Sequence, residues 1–205
     1  MSRTDSNQEI EIKLRVPGVE AARSLILGAG YDVSVPRTFE VNSIFDTSDT
    51  TLRQRGMLLR LRKAGAKFTM TVKGQVSESK HKSRPEYEVV VSDYEAAQSI
   101  LFQLGYQTVF QYEKFRTEFT STDQPGTITL DETQIGIFLE LEGAADWIDR
   151  TANALGFSQS DYVESYGTLY SNCCMKRGET TPPSSRGSRR AVPRRALRRP
   201  TCPDF

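Results

Sequence analysis

The sequence predicts an α+β fold built around a large antiparallel sheet or barrel. Many segments alternate apolar and polar residues with the period of a half-buried strand, and most are joined by short, turn-rich connections. Few segments have helical spacing, and the predicted order is β-α-β-β-β-β-α-β-β-β-α. No strand–helix alternation is long enough for a doubly wound sheet, and no repeat of fixed period is present. The 205 residues favour one main domain.

Each element follows from its local pattern. The first strand carries the alternation EIEIKLRV and ends at the turn Pro17-Gly18. Strands are predicted over 8–16, 37–46, 57–63, 67–74, 85–91, 107–121, 126–132 and 136–142. Helices are predicted over 19–29, 93–104 and 145–155, with a short final helix near 163–171. Ser92 is expected to cap the second helix in a capping box with Glu95. The polar segment 75–83 is predicted to be a mobile loop.

Charge divides the chain into two parts. Residues 176–205 contain nine Lys or Arg and two acidic residues, a net charge of +7, in a mixture rich in Pro, Ser and Arg. Residues 1–175 carry 18 basic and 24 acidic residues, a net charge of −6. We therefore predict a folded domain over 1–175 and a disordered basic tail over 176–205, because the tail's composition cannot bury a core. The tail either binds nucleic acid weakly or is simply solvated.

Composition also limits localisation and metal chemistry. No apolar run approaches the ~20 residues of a membrane span, and the polar N-terminus is unlike a secretory signal. The three cysteines form no disulfide framework, which predicts free thiols in a cytoplasmic protein. Because His81 is the single histidine, a metal would be held by oxygen ligands, so Mg²⁺ or Mn²⁺ is expected rather than Zn²⁺.

Charged residues recur two apart on the polar faces of the strands. The acids are Glu9, Glu11, Glu86, Glu88, Asp131, Glu140 and Glu142, and the bases are Lys13, Arg60, Arg62, Lys73, Lys114 and Arg116. A solvent-facing sheet surface explains any one of these strands. If the sheet closes into a barrel, all these charges point inward, which is costly unless they pair or hold ions. Bases together with carboxylate-bound divalent cations are the groups that hold a polyphosphate.

The ordered set resembles the CYTH family, the triphosphate tunnel metalloenzymes, which includes class IV adenylyl cyclases, thiamine triphosphatases and inorganic tripolyphosphatases. The resemblance spans roughly residues 8–171. The segments that carry it are EIEIK, LRLR, TVKG, PEYEV, EKFRTEF, Leu130-Asp131 and FLELEG. The end VESYGTLY and the segment Tyr112-Glu113-Lys114 look most like the class IV adenylyl cyclase branch.

The resemblance implies an eight-stranded antiparallel closed β-barrel, the triphosphate tunnel, with a few flanking helices. It implies metal ligation by Glu9, Glu11, Asp131, Glu140 and Glu142. It implies phosphate contacts from Lys13, Arg60, Arg62, Lys73, Lys114 and Arg116. Glu86 or Glu88 would assist a metal or order water, and Lys73 would act in catalysis as well as in substrate binding.

Two further features lie near the ends of the implied tunnel. Many family members place a lysine from a C-terminal helix over the tunnel, whereas this chain offers Tyr166 and, just beyond it, Lys176. The polar loop holds Lys80, His81 and Lys82, which either cover the substrate as a lid or are solvated.

The expected function is divalent-metal-dependent hydrolysis of a linear triphosphate, with inorganic tripolyphosphate, thiamine triphosphate or a nucleoside triphosphate as substrate. One alternative is a class IV adenylyl cyclase that converts ATP to cyclic AMP and pyrophosphate. Another is a polyphosphate-binding module without turnover. The inward carboxylates argue against the module, since without metals they would repel the ligand. A homodimer is left open.

Overall fold

The strands close into one antiparallel barrel. A computed structural model describes residues 8–77, 80–164 and 167–169. The strands are β1 Gln8–Val16, β2 Asp32–Asp46, β3 Leu58–Ala64, β4 Lys67–Lys73, β5 Lys82–Val91, β6 Gln107–Thr120, β7 Thr127–Thr133 and β8 Gly136–Glu142. Their order around the ring is β1-β5-β4-β3-β2-β6-β7-β8. The predicted eight-stranded closed barrel is therefore confirmed.

The register brings the charged strands side by side. On one side of β1, Glu11 lies opposite Glu142 and Lys13 opposite Glu140 of β8. On the other side, β1 pairs with β5 only over Gln8–Glu11 and Lys82–Pro85. Residues directly opposite each other in an antiparallel pair share a face of the sheet, so the charges of neighbouring strands meet on one surface.

Besides the helical residues 167–169, four helices in the described part of the chain flank the barrel on its apolar outer surface. They are α1 Val19–Gly28, α2 Thr51–Gln54, α3 Tyr94–Gln103 and α4 Ala145–Ala154, followed by a 3₁₀ turn over Gln159–Asp161. The larger core cluster joins outward residues of β1, β7 and β8 to α1 and α4, with Leu14, Ile26, Leu139 and Ile148 fully buried. A smaller cluster places Leu101 of α3 against β2 and β3.

Trp147 anchors α4 to the barrel. It is 1% exposed, and its indole N–H donates to the Tyr31 hydroxyl at 3.0 Å. Its ring passes so close to two glycines that a Cβ would lie 2.7 Å from it at Gly126 and 2.8 Å from it at Gly143. Glycine at these two positions is what lets the helix pack on the barrel wall.

Several predicted boundaries were wrong. The strand expected from 37 begins at Asp32, and the strand expected from 85 begins at Lys82, which takes the end of the predicted mobile loop into the barrel. The cap of α3 is Asp93, whose carboxylate accepts from the Ala96 N–H at 2.9 Å, and not Ser92. Ser and Asp both cap helices well, so the sequence alone did not distinguish Ser92 from Asp93 as the cap.

The two ends of the chain are only partly covered. Residues 167–169 are helical, whereas the remainder of the predicted final helix from 165 onward and the predicted tail over 176–205 lie outside the described residues. The domain boundary stays a prediction. No helix within residues 8–77, 80–164 and 167–169 is long and apolar enough to cross a membrane.

Candidate active site

The inner surface of the barrel is lined with charge. All thirteen predicted site residues belong to strands whose register places them on this surface. The most deeply buried of them are Glu9, Glu11, Lys13, Arg60, Lys73, Lys114, Arg116 and Asp131. Arg62, Glu86 and Glu140 are partly buried, and Glu88 and Glu142 are exposed. The side chains form two ion-pair networks.

The first network surrounds Asp131 and Glu140, on β7 and β8. Arg116 holds Asp131 with two hydrogen bonds, of 2.7 Å from Nε and 2.6 Å from Nη2. Lys114 Nζ lies 2.8 Å from Asp131 Oδ2. Glu140 accepts from both Lys13 and Arg116. Two carboxylates and three cations thus form one continuous buried cluster.

Protonation in this network follows from the pairing. Burial alone would raise the pKa of Asp131, but Arg116 and Lys114 lower that pKa to about 2. Lys13 and Arg116 likewise overcome burial and hold the pKa of Glu140 well below its usual value. Burial, followed by the charge of Arg116, lowers the pKa of Lys114. Both carboxylates are therefore ionised at neutral pH.

The second network lies across β1, β4 and β5. Lys73 bonds Glu9 and lies 2.8 Å from Glu86. Arg84 Nε donates to Glu9 at 3.0 Å, and Lys82 donates to Glu11. Burial would raise the pKa of Glu86, but Lys73 lowers it overall. Each carboxylate of this network is paired with a cation.

Glu142 stands apart from both networks. It forms no salt bridge with any described residue, although it lies opposite Glu11 at the rim of the barrel. Although the residue as a whole is exposed, burial of its carboxyl and then the charge of Glu9 raise the pKa of Glu142 to about 7. This end of the tunnel consequently carries an excess of carboxylates.

The part of the inner surface around β3 is richer in hydrogen-bond donors. Arg60 lies 3.7 Å from Glu86 and 3.6 Å from Glu88, and its Nη2 donates to Thr71 Oγ1 at 3.1 Å. Arg62 lies 3.6 Å from Glu40. Ion pairs at these longer distances hold the two guanidinium groups less tightly than the bidentate contact holds Arg116.

Sequence reasoning missed four polar residues of the inner surface: Glu40, Asn42, Lys82 and Arg84. Lys82 and Arg84 continue the series of charged residues at every second position that includes Glu86 and Glu88. Ser83 and Pro85 between them are not the apolar residues that mark a half-buried strand, so the start of the strand was not predicted. Glu40 and Asn42 alternate within β2, but they are not a pair of like charges, which was the signal used. A search for any polar side chains two residues apart would have found all four.

The carboxylates do not form a ready-made metal cage. Among the described residues, no three His, Cys, Asp or Glu side chains converge to hold a metal ion. Mg²⁺ commonly binds through one or two carboxylates, water and the substrate's phosphates rather than through a cage of protein ligands. The crowded oxygen donors around Glu142 fit such an ion, because a divalent cation would relieve their repulsion.

Comparison with known proteins agrees with the barrel and its charged interior. The model of the CYTH domain family matches residues 7–155, well over half of the chain. The chain belongs to the CYTH family.

Relatives of this CYTH chain carry names from two activities. A Methanocaldococcus jannaschii protein named as a putative adenylate cyclase is 28% identical over 134 residues, covering 65% of this chain and 75% of that protein. The structure of a putative adenylate cyclase from Vibrio parahaemolyticus is 25% identical, with a TM-score of 0.68 over 80% of this chain and 97% of that one. A Hippeastrum protein, described as a putative adenylyl cyclase with a dominant triphosphatase activity, shares the fold at 19% identity, with a TM-score of 0.59 over 85% of this chain and 98% of that one.

The loop before β5 is fastened to the outside of the CYTH barrel. Lys80 Nζ and His81 Nε2 each lie 2.8 Å from a carboxylate oxygen of Asp149 on α4. Lys82 instead faces the tunnel. That this loop covers the substrate as a lid stays a prediction. Tyr166 and Lys176, which the C-terminal region offers in place of the lysine found in many family members, lie outside the described residues.

Proposed function

We propose that this chain is a divalent-metal-dependent enzyme that hydrolyses a linear triphosphate: inorganic tripolyphosphate, thiamine triphosphate or a nucleoside triphosphate. The observation that carries the proposal is the inner surface, where buried Lys and Arg side chains alternate with carboxylates. At one end, the carboxyl of Glu142 has no salt-bridge partner among the described residues and has a raised pKa. Cations alone would bind a polyanion. The added carboxylates pair with the cations in the free protein, and in the complex they would hold divalent ions that accompany the substrate.

In this proposal the cations hold phosphate oxygens. Arg60, Arg62 and Lys73 have ion-pair partners at several distances, and phosphate oxygens would replace those carboxylates. Lys13 on β1 and Lys114 and Arg116 on β6 would also hold phosphate oxygens. Because phosphoryl transfer needs positioning and charge neutralisation more than covalent help, a closed ring of cations supplies most of what the reaction needs.

The carboxylates would hold the metal. We assign Glu9, Glu11, Asp131, Glu140 and Glu142 as metal ligands. The fit is best at Glu142, whose carboxyl is crowded by Glu9. When bound, a divalent ion neutralises phosphate charge and makes a bound water more acidic. Glu86 or Glu88 would orient the attacking water, and Lys73, bonded to Glu86, would hold the transferred phosphoryl group in line with it.

The names of the relatives favour a second candidate, a class IV adenylyl cyclase. In that reaction the ribose 3′-hydroxyl attacks the α-phosphorus of ATP and releases pyrophosphate. It requires space for the adenine beside the phosphates. A cavity of about 230 Å³ opens beside Glu11 and Lys13, with Tyr162 on its wall, and it supports this candidate.

Product analysis decides between the two. The protein is incubated with Mg²⁺ or Mn²⁺ and with tripolyphosphate, thiamine triphosphate or ATP, and phosphate, pyrophosphate and cyclic AMP are resolved by chromatography. Release of orthophosphate supports the triphosphatase, and cyclic AMP with equimolar pyrophosphate supports the cyclase. Absence of turnover with all three substrates contradicts the enzymatic proposal.

A matched pair of variants tests the role of the inner carboxylates. Glu11→Gln removes one charge from the tunnel and is expected to lower activity by at least about 100-fold, as for loss of a group that stabilises the transition state. Glu95→Gln, on the exposed face of α3, is the control and should keep full activity. Circular dichroism should show both variants folded. Full activity of Glu11→Gln would mean that this carboxylate has no part in metal binding.

A further inference from the structure

Four buried side-chain atoms on the inner surface have no hydrogen-bond partner. Within the part of the chain that the structure describes, they are Glu40 Oε2, Asn42 Nδ2, Arg60 Nε and Thr69 Oγ1. Native proteins pair nearly all buried polar atoms, and each exception calls for an explanation. All four lie on β2, β3 and β4, so they belong to one region of the tunnel wall.

Three of these residues surround Arg62. Asn42 lies opposite Arg62 across the β2–β3 pair, and Arg62 lies opposite Thr69 across the β3–β4 pair. Arg60 is two residues from Arg62 on the same face of β3. Asn42 is 0% exposed and Thr69 is 3% exposed. A continuous row of polar groups therefore crosses three neighbouring strands, shielded from bulk water.

The orientation of the Asn42 amide is fixed by its neighbour. Arg62 Nε donates to Asn42 Oδ1 at 3.1 Å, and a guanidinium can only donate. The oxygen of the amide must therefore face Arg62, which leaves the NH₂ group as the unpaired donor. Arg60 has a similar arrangement, because its Nη2 donates to Thr71 while its Nε has no acceptor.

The missing partner is an acceptor of hydrogen bonds. Two guanidinium groups beside the row exclude a cation, and an apolar group would leave the donors unsatisfied. Glu40 Oε2, the one atom of the set that cannot donate, faces Lys114 Nζ at 3.6 Å, so its charge is already partly compensated. A group with several anionic oxygens matches these donors, and the phosphoryl group is such a group.

We propose that Asn42 and Thr69 are further substrate-binding residues, whose Nδ2 and Oγ1 donate hydrogen bonds to oxygens of one phosphoryl group held between Arg60 and Arg62. The assignment rests on the proposed triphosphate site and adds neutral donors to its charged ones. Neutral donors fix the position of a phosphoryl oxygen without adding positive charge to an already cationic wall.

Thr69→Val tests this directly, because valine has nearly the same shape and carries a methyl group in place of the hydroxyl. Since Thr69 Oγ1 has no hydrogen-bond partner among the described residues, the variant should be as stable as the parent or slightly more stable. It should bind a tripolyphosphate analogue with imido bridges, in the presence of Mg²⁺, about 10-fold or more weakly. Thr117→Val, a buried threonine on the outer face of β6, is the matched control and should leave the affinity unchanged.

Asn42→Asp provides a second variant. It keeps the oxygen that accepts from Arg62 but replaces the free donor with an acceptor, so binding should weaken by more than in Thr69→Val. Calorimetric titration measures affinity, and thermal unfolding without ligand measures stability.

The outcomes separate this inference from the proposed function. If the parent protein does not bind the analogue, the triphosphate site itself is wrong. If the parent binds it and both variants bind as tightly, the donors are satisfied by water and the inference fails alone. Weaker binding in both variants, with stability retained in Thr69→Val, supports it.

Discussion

Replacing Glu142 with Gln should stabilise the metal-free protein at alkaline pH. The pKa of this carboxyl is raised from 4.5 to about 7, which at about 1.36 kcal/mol per pKa unit corresponds to at most about 3 kcal/mol of unfavourable charge. Because the residue is exposed at the barrel rim, solvent screening leaves about 1 kcal/mol. Removing the charge should recover that amount.

The sign and the pH range follow from linkage. A group whose pKa is higher in the folded state than in the unfolded state stabilises the fold at low pH, and this contribution is lost as pH rises through the folded pKa. Glu142 is therefore protonated in both states at pH 4, below its unfolded pKa of 4.5, and ionised at pH 8. Glu142→Gln should nearly match the parent at about pH 4 and exceed it by about 1 kcal/mol at pH 8.

Urea unfolding in the presence of a chelator measures the difference, since the slope of stability against urea allows extrapolation to water. Glu95→Gln is the control for loss of an exposed glutamate and should show no change with pH. A second series with Mg²⁺ should reverse the order at pH 8, because the parent keeps a metal ligand that the variant lacks. An equal difference at both pH values, or a variant less stable than the parent at pH 8 without metal, would refute the reasoning.

Two other perturbations test the interior and the tail. Asp131→Asn should destabilise the protein by about 3–5 kcal/mol at neutral pH, because Arg116 and Lys114 lose the charge that compensates them in a buried site. Urea unfolding measures this difference. A loss of stability below about 1 kcal/mol would mean that water screens the cluster. Deleting 176–205 should leave turnover of a triphosphate unchanged while removing retention on heparin. Continued retention would place the binding of polyanions in the barrel instead.

The charged face of the barrel could be predicted because alternation is a local property. Glu9, Glu11 and Lys13 alternate with apolar neighbours, and the same pattern in β3, β7 and β8 indicated one polar surface for the whole sheet. The polar residues that escaped detection lacked that contrast. Lys82 and Arg84 are flanked by Ser83 and Pro85, so the strand period is present only in the charges.

Pairing between the charges could not be predicted, because it depends on which strands are neighbours. β1 lies beside β5, and β2 lies beside β6, although both pairs are distant in the chain. A shift of one residue in either register would have turned every partner to the other face. The contact of Lys73 with Glu9, across 64 residues of sequence, is therefore a product of the closed ring and not of any local pattern.

The ion pairs explain how so charged an interior remains folded without a ligand. Each buried cation of the two networks has a carboxylate within reach, so the free tunnel avoids the large penalty of isolated buried charges. The same pairs are not worth much as a source of stability, since apolar residues of similar volume would serve as well. The presence of ion pairs at these positions therefore supports a role in which the charged groups exchange their partners for substrate and metal. In the proposed reaction, a triphosphate that takes over Lys73 would free Glu86 for a divalent ion and leave Glu9 with Arg84. The ion would then offset the charge of Glu9, which acts together with burial to raise the pKa of Glu142.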